Sequence, residues 1–560
     1  MLICGIKLTH DGSVAVIDTD HDDMPKLLFS TEMEKLNNGA RYAKIDDPSV
    51  IKQVLISEGF VLKDIDAWVL DGWKGGRANG LPVESYHEFD GGAEGDLMAS
   101  LVGGELRIGE FIAPYRSYRH MASHIIGSYV VSPWGRTCEP VYAVTWDGGQ
   151  NPRVYYVDPE STPSLIYVGT VMEFYGIIYS IMGYYFGPYK NAEVMARQII
   201  GAADPLYGGY ETPGKLMSYI ALGNLDRGLY DRMLEIYVGM ERELKAGMSS
   251  RMLLDYNQNG IFEHAFMRRV KSAVSDQSDA TVLYTLHMLL QQLLVARTAK
   301  IVPKGARLIF TGGSALNIKW NSALRDSGHF RGVWVPPFPN DTGTALGAAA
   351  CHMVQQEGRW AMDWSAYAGP QLKLGNVKSG IKMSPAQLGR YIAANPEEPI
   401  VVLHGRAEVG PRALGHRSIL AAATVADNKR KLNAMKLRED FRPVAPLCLE
   451  QYAPLVFEPG TPDPHMLFEH WVRLDWEHRV PAVVHLDLSA RLQTINAEQC
   501  PVVTEILTAY HAETGIPLLC NTSANYNGKG FFPDIESALR WGGTRYVWAD
   551  GALYSKFNLI

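Results

Sequence analysis

Cysteine is scarce in this chain of 560 residues. The six, Cys4, Cys138, Cys351, Cys448, Cys500 and Cys520, are scattered and form no CxxC pair. That argues against a disulfide scaffold or a structural zinc site, and free thiols suit a reducing cytoplasm, the expected location. There is no uncharged apolar run of about 18 residues, so no membrane span is expected. The opening MLICGIKLTHDGSVAVI lacks a basic leading region and is broken by Lys7, His10 and Asp11, so it does not read as a signal peptide. A basic excess is lacking too. Lys and Arg number 53 against 60 Asp and Glu, for a net charge of −7. A nucleic-acid partner is therefore not expected, although a local basic pocket for a small anion remains open.

What is present is an ordinary soluble composition, with 47% hydrophobic and 20% charged residues. The length exceeds what one core supports, so two or more domains are expected. LICGIKL, THDGS and VAVID read as strand, turn and strand; PVYAVTW, DGGQNP and RVYYVD repeat the pattern. Two hairpins with a DG tip suggest an internal duplication resembling the phosphate loops of actin-like folds, though DG hairpins are common in β-rich proteins. Helices are expected over Asp47 to Glu58, His120 to Val131 and Asp279 to Lys300, with a strand over Ala67 to Asp71 and a polar, glycine-rich stretch to about Leu97. RLIF followed by TGGSALN reads as strand, glycine turn and helix, an order that suits nucleotide contact by backbone N–H groups. NDTGTALGAAACHM reads as a capped helix beginning near Asp341. A polar stretch from Glu357 to Pro385 separates residues 1–357 from 386–560, and 358–385 is read as a linker with the boundary near residue 370.

Two constellations carry chemistry. In YRHMASHIIGSY, His120 and His124 lie four apart, on one face of a helix, where both imidazoles can reach one ion. Asp147 and Asp341 are plausible carboxylate partners, and such a set favours Fe(II) or Mn(II), with Zn as a further candidate. A solvent-facing HxxxH pair is the plain alternative. The second constellation is basic. GRAEVGPRALGHRSIL holds Arg406, Arg412 and Arg417; NAMKLREDFRPVAP holds Lys436, Arg438 and Arg442; HLDLSARLQTI holds Arg491; and LLCNTSANYNGKG holds Asn521 and Ser523. Guanidinium forks match phosphate oxygens, so the cluster suits a triphosphate or an acyl phosphate. A solvated basic face is the alternative.

GPRALGHRSIL, KLREDFRP, SARLQT and NTSANYN, together with HxxxH, WDGG, TGGSALN and NDTGTALGAA in order before them, resemble the carbamoyltransferase family of nodulation protein U and of the cephalosporin and tobramycin carbamoyltransferases. The resemblance implies an α/β chain: an amino-terminal actin-like domain of duplicated RNase H-like subdomains, similar to the universal tRNA threonylcarbamoyltransferase, and a carboxy-terminal YrdC-like domain. It implies that the second domain makes carbamoyl-adenylate from ATP, with Mg, and carbamoyl phosphate, using Arg412, Arg417, Lys436, Arg442, Arg491, Asn521 and Ser523. The first would hold carbamoyl-adenylate near Gly148, Lys215, Gly312, Gly313 and Asn317, with a metal on His120, His124, Asp147 and Asp341. It would pass the carbamoyl group to a small-molecule hydroxyl, with His10 at the transfer site and Lys436 and Arg442 in the adenylation chemistry. A homodimer is compatible with this. TEMEKLNNGARY departs from the family's EEERFxR-like run, with only Glu34 and Lys35 fitting loosely. YYFGPYKNAEVMARQ departs as well, within a divergent region from Tyr175 to Met217 near which the acceptor is expected. An actin-like kinase or ATPase, a tRNA-modifying transferase and a nucleotide-sensing module are the competing readings.

Overall fold

The computed structural model describes residues 1–21, 23–72, 96–190, 210–247 and 260–560. Most of the glycine-rich stretch before Leu97 and residues 191–209 of the divergent region lie outside the described residues. The first sheet has strands β1 (Leu2–Lys7), β2 (Ser13–Asp18), β3 (Lys26–Glu32), β4 (Ala67–Asp71), β5 (Leu101–Ile108) and β6 (Phe111–Tyr118), in the order β3-β2-β1-β4-β6-β5. β1 to β3 form an antiparallel meander, while β4 lies parallel to β1 and β6 parallel to β4. The second sheet has strands β7 (Val141–Thr145), β8 (Arg153–Val157), β9 (Leu165–Thr170), β10 (Arg307–Thr311) and β11 (Gly332–Trp334), in the order β11-β10-β7-β8-β9. It repeats the plan: an antiparallel meander from β7, then β10 parallel to β7 and β11 parallel to β10. The two glycine-tipped hairpins expected from sequence are β1–β2 and β7–β8, equivalent strands of the two sheets.

Between the sheets cross two helices, His120–Val130 and Thr344–Glu357. Their contact is backbone on backbone. A Cβ on Gly347 would lie 2.0 Å from the Ser123 carbonyl oxygen, and one on Gly127 2.8 Å from the Gly347 Cα. Only glycine permits this approach, and it brings the start of one helix against the turn that opens the other.

The carboxy-terminal half is built on an 8-stranded mixed sheet. Its central strands, Ile400–Leu403, Arg417–Ala422, Leu518–Ser523 and Ala445–Leu449, run antiparallel to their neighbours in that order. The helices Pro385–Ala394 and Pro501–Thr514 pack together closely enough that a Cβ on Gly389 would meet the Ile506 carbonyl oxygen at 2.2 Å. Residues 358–385, expected as a linker, are instead bound to both halves. Lys26 bridges to Asp363, Gln371 to Arg406, Lys373 to Asp534 and Val377 to Leu559, and Trp360, Met362, Ala366 and Ala368 are buried.

A buried ion pair adds a strut between the halves. The Lys35 ammonium donates to Glu32 Oε1 at 2.8 Å, to the Glu408 carbonyl at 2.6 Å and to the Gly410 carbonyl at 2.7 Å. The Gly410 amide donates back to Glu32 Oε1 at 2.7 Å. Lys35 is thus fully engaged in joining the halves and is not a ligand-facing lysine. Lys319 makes a second cross-link, to Glu469 and to Asp487 at 3.1 Å.

Candidate active site

Parallel strands present their carboxy-terminal ends together, and in both sheets those ends open onto one space. Lys7 ends β1 and Asp71 ends β4, so the pairing of Ile6 with Leu70 leaves them side by side, 3.0 Å apart. The hairpin after β7 carries Asp147. The helix His120–Val130 follows β6 directly, and all its residues are buried, which excludes a solvent-facing histidine pair. Asp341 sits in the turn before Thr344–Glu357. The glycine crossing therefore sets His120 and His124 against Asp341.

The geometry is that of a chelate. His120 Nε2 and His124 Nε2 are 3.2 Å apart, and each lies 3.4 Å from Asp341 Oδ1. His120 Nε2 is 3.9 Å from Asp147 Oδ2, and the four ligand atoms fall within 4.8 Å of one another. Ligands about 2.1 Å from a shared ion at tetrahedral to octahedral angles stand roughly 3.0–3.4 Å apart, so these residues fit a transition metal. His120 Nδ1 faces Asp71 Oδ2 at 2.8 Å, the carboxylate–histidine contact that fixes the tautomer of a metal ligand. Burial alone would raise the Asp341 carboxyl, but the charges of Lys7, His120 and His10 hold it well below the usual carboxylate range. Burial likewise opposes ionisation of Asp71, yet His120 and Lys7 bring it down to about 2. The set is poised to hold positive charge. His10 lies beside it, one-third exposed, with Nδ1 3.1 Å from Asp11 Oδ2 and Nε2 3.5 Å from Asp341 Oδ2.

The same space, a cavity of about 650 Å³, is lined from the other half by Arg412, Lys436, Arg438, Arg442, Arg491, Asn521 and Ser523. Arg412 and Arg491 have their Nε atoms sealed from solvent without a hydrogen-bond partner. Burial, then neighbouring arginines, pushes Arg412 down to about 10 and Arg438 to about 9. Lys436 donates to the carbonyls of Ser523 and Asn525 at 2.9 and 2.6 Å. Asn521 donates to Ala413 O and Gln493 Oε1. Crowded cations, two of them with buried donors that lack acceptors, form a receptor for a polyanion.

Lys436 supplies a pH test. Burial and the charges of Arg438 and Arg41 push its ammonium down to about 6. Above pH 6 the amine is neutral in the unliganded protein, and an anion beside it restores the proton. Affinity for inorganic sulfate, which does not titrate in this range, should fall as pH rises from 6 to 8, by up to about tenfold per unit. Calorimetry in buffers of different ionisation enthalpy should show proton uptake on binding; none would count against a depressed Lys436.

Most residues expected from sequence meet here. Gly148, Lys215, Gly313 and Asn317 line the cavity with His10, His120, Asp147 and Asp341. His124 completes the cluster behind them. Two do not line it. Arg417 is 1% exposed and donates from both Nη atoms to the carbonyls of His404, His416, Gly405 and Pro370, so its fork ties loops together and does not face the cavity. Gly312 adopts φ +88° with its missing Cβ against the Trp146 carbonyl, which makes it a turn residue. Arg406 pairs with Glu58 at 2.8 Å across the halves. The sequence reading missed Lys7 and Asp71, whose signal was a charge ending an apolar strand. It also missed Arg41, which reaches the cavity from the loop after β3, in the run that departs from the family pattern.

A metal-competent His/Asp cluster and a cationic wall on one cavity suit transfer of a group from a phosphorylated donor. The comparisons define the class. A family model described as carbamoyltransferase N-terminus matches residues 2–351, and one described as carbamoyltransferase C-terminus matches residues 393–547. The chain belongs to the carbamoyltransferase family and is an enzyme of that class. It is 41% identical to nodulation protein U of Sinorhizobium fredii over 586 residues, 99% of each chain. It is 30% identical to 3'-hydroxymethylcephem-O-carbamoyltransferase of Streptomyces clavuligerus, over 97% of this chain and 96% of that one, and 31% identical to the enzyme of the same name from Amycolatopsis lactamdurans, over 95% and 94%. Among the described residues no helix is long and apolar enough to cross a membrane.

Proposed function

We propose that the enzyme makes carbamoyl-adenylate from ATP, bound with Mg, and carbamoyl phosphate, and passes the carbamoyl group to a hydroxyl of a small molecule. The observation that carries this is the single cavity, cationic on the carboxy-terminal wall and bearing the His/Asp cluster on the other. The names of the cephem relatives support oxygen as the acceptor atom. The repeated strand order of the first two sheets supports an actin-like first domain, and the second half is read as YrdC-like. The free cysteines suit work in the cytoplasm.

In the first step water releases phosphate from carbamoyl phosphate, and the resulting carbamate oxygen attacks the α-phosphorus of ATP. Pyrophosphate leaves. Arg412, Lys436, Arg442 and Arg491 neutralise the phosphates and hold them in line, a positioning contribution that needs no covalent role. In the second step the acceptor oxygen bonds to the carbamoyl carbon, the bond to AMP breaks, and AMP departs. His10, oriented by Asp11, takes the acceptor's proton. An Fe(II), Mn or Zn ion on His120, His124, Asp147 and Asp341 would act as a Lewis acid toward the donor's oxygens. Gly148, Gly313 and Asn317 line the route beside it, and Lys215 faces the same space.

The test is pyrophosphate release that depends on both ATP and carbamoyl phosphate. Loss of one charge-assisted phosphate contact costs on the order of 1.5–3 kcal/mol, so Arg442→Ala should slow that release about 10- to 150-fold. Wild-type rates in the variant would count against the assignment. ADP in place of pyrophosphate would favour an actin-like kinase.

A further inference from the structure

The helix Asp427–Met435 ends in a turn that carries two of the cavity's cations. The Leu437 amide donates to the Ala434 carbonyl at 3.0 Å and the Arg438 amide to the Asn433 carbonyl at 2.9 Å. These paired bonds define a Schellman cap, whose residue beyond the end of the helix must be left-handed. Here that residue is Leu437, at φ +48°. At the ends of three other helices, Thr344–Glu357, Pro501–Thr514 and Ile535–Trp541, the left-handed residue is a glycine: Gly358, Gly515 and Gly542. A branched side chain on left-handed backbone is strained, and glycine would make the same turn without strain.

Packing does not account for the leucine. Leu437 is 79% exposed, among the most exposed large apolar residues of the described chain. The apolar contact that often accompanies such a cap joins the residues here occupied by Asn433 and Arg438, and it bypasses Leu437. Yet Leu437 lines the active-site cavity, between Lys436 and Arg438. Arg438 has Glu211 as a charge neighbour, and Glu439 has Lys215. The turn thus faces the Glu211–Met217 end of the helix Thr212–Tyr219, where Pro213 and Met217 also line the cavity.

We propose that Leu437 is a specificity-determining residue that covers an apolar face of the nucleotide's base while Lys436 and Arg438 hold its phosphates. This rests on the nucleotide reading given above. A strained, solvent-facing leucine is unfavourable in the unliganded protein and becomes favourable once a flat ring removes it from water. Among the groups attached to the phosphates of ATP, the base is the flat aromatic one.

The experiment compares ATP with inorganic tripolyphosphate, which keeps the charge and lacks the base, by calorimetry on the full chain. Leu437→Gly should bind ATP about 5- to 20-fold more weakly, the worth of part of one leucine's burial. Its affinity for tripolyphosphate should stay within about twofold of wild type. Its unfolding temperature should hold or rise by about 1–3 °C, since the strain is relieved. Leu437→Asn, which also tolerates left-handed backbone, should repeat the ATP loss, and Leu437→Met should keep ATP affinity within about twofold. Unchanged ATP affinity in Leu437→Gly would overturn the proposal. So would equal losses for both ligands, or a lower unfolding temperature, either of which would make Leu437 a part of the turn's architecture. If the wild type bound tripolyphosphate and not ATP, the nucleotide reading itself would fall, and this inference with it.

Discussion

Asp341→Asn should leave a folded enzyme that carbamoylates no acceptor at more than about one-thousandth of the wild-type rate. Asp341 faces four groups at once: Lys7 at 2.9 Å, His10 at 3.5 Å, and His120 and His124 each at 3.4 Å. The amide keeps the shape of the carboxylate and removes its charge. An ion at the cluster then loses its central anionic ligand, and Lys7 keeps only Asp71. Losing Lewis-acid stabilisation of several kcal/mol, at 1.36 kcal/mol per factor of ten, gives the thousandfold figure. Elemental analysis should show metal content falling in parallel, and His120→Ala/His124→Ala should reach the same end without touching Asp341. The other half of the reaction should survive. Asp341 is a neighbour of the cluster and not of the arginines, so pyrophosphate release from ATP and carbamoyl phosphate should continue, uncoupled from transfer. Full metal content in the double variant would remove the cluster's role. Loss of both activities from a folded Asp341→Asn enzyme would point to one inseparable centre.

Arg491→Met should separate the cost of the cationic wall from its use. Arg491 faces the cavity with a sealed, unbonded Nε, and burial followed by Arg412 and Arg442 pushes its guanidinium well below its ordinary range. A charge that repels its neighbours and lacks an acceptor adds little to the fold. The variant should therefore unfold at the wild-type temperature or up to about 3 °C above it when no ligand is present. Pyrophosphate tells the opposite story. At 100 times its dissociation constant a ligand adds about 2.7 kcal/mol to the wild type, visible as a rise of several degrees. The variant, binding about 10-fold or more weakly by loss of one charge-assisted contact, should lose about half of that rise or more at the same concentration. A variant that is less stable alone and shifts as far as wild type would make Arg491 a structural arginine, as Arg417 is.

That contrast between Arg491 and Arg417 marks what was legible in the sequence. Both are arginines in polar, glycine- or serine-bearing runs, and the one-dimensional pattern is the same. Arg417 opens a central strand beside loops that turn four carbonyls toward it, and only the three-dimensional path of those loops tells a structural knot from a phosphate fork. Local features were readable because they depend on few residues: the two DG hairpins, the strand Ala67–Asp71, and the four-residue spacing of His120 and His124. The pairing of Lys7 with Asp71 was not, because it needs β1 and β4 to lie parallel in one register across 64 residues of chain. The stretch 358–385 read as a linker because its glycines, prolines and polar residues are those of a loop. The burial of its first part, Trp360 to Ala368, comes from packing on surfaces that exist only after both halves have formed. Arg41 had no signal, since a single arginine in a run unlike its relatives' carries no periodicity or motif.

The strut at Lys35 has a kinetic meaning. Its ammonium is held by a carboxylate of its own half and two carbonyls of the other, so parting the halves along this seam would give up both carbonyls and the bond from the Gly410 amide to Glu32. Three hydrogen bonds to charged groups, worth about 1.5–3 kcal/mol each, cross the seam, and a state that gives up all three is populated less than about one part in a thousand. The walls of the cavity therefore keep a fixed separation through turnover. In the proposed reaction an activated carbamoyl group would cross a standing gap between them, and its survival against water would be governed by the width of that gap and the traffic at its mouth, with no large-scale closing motion to wait for.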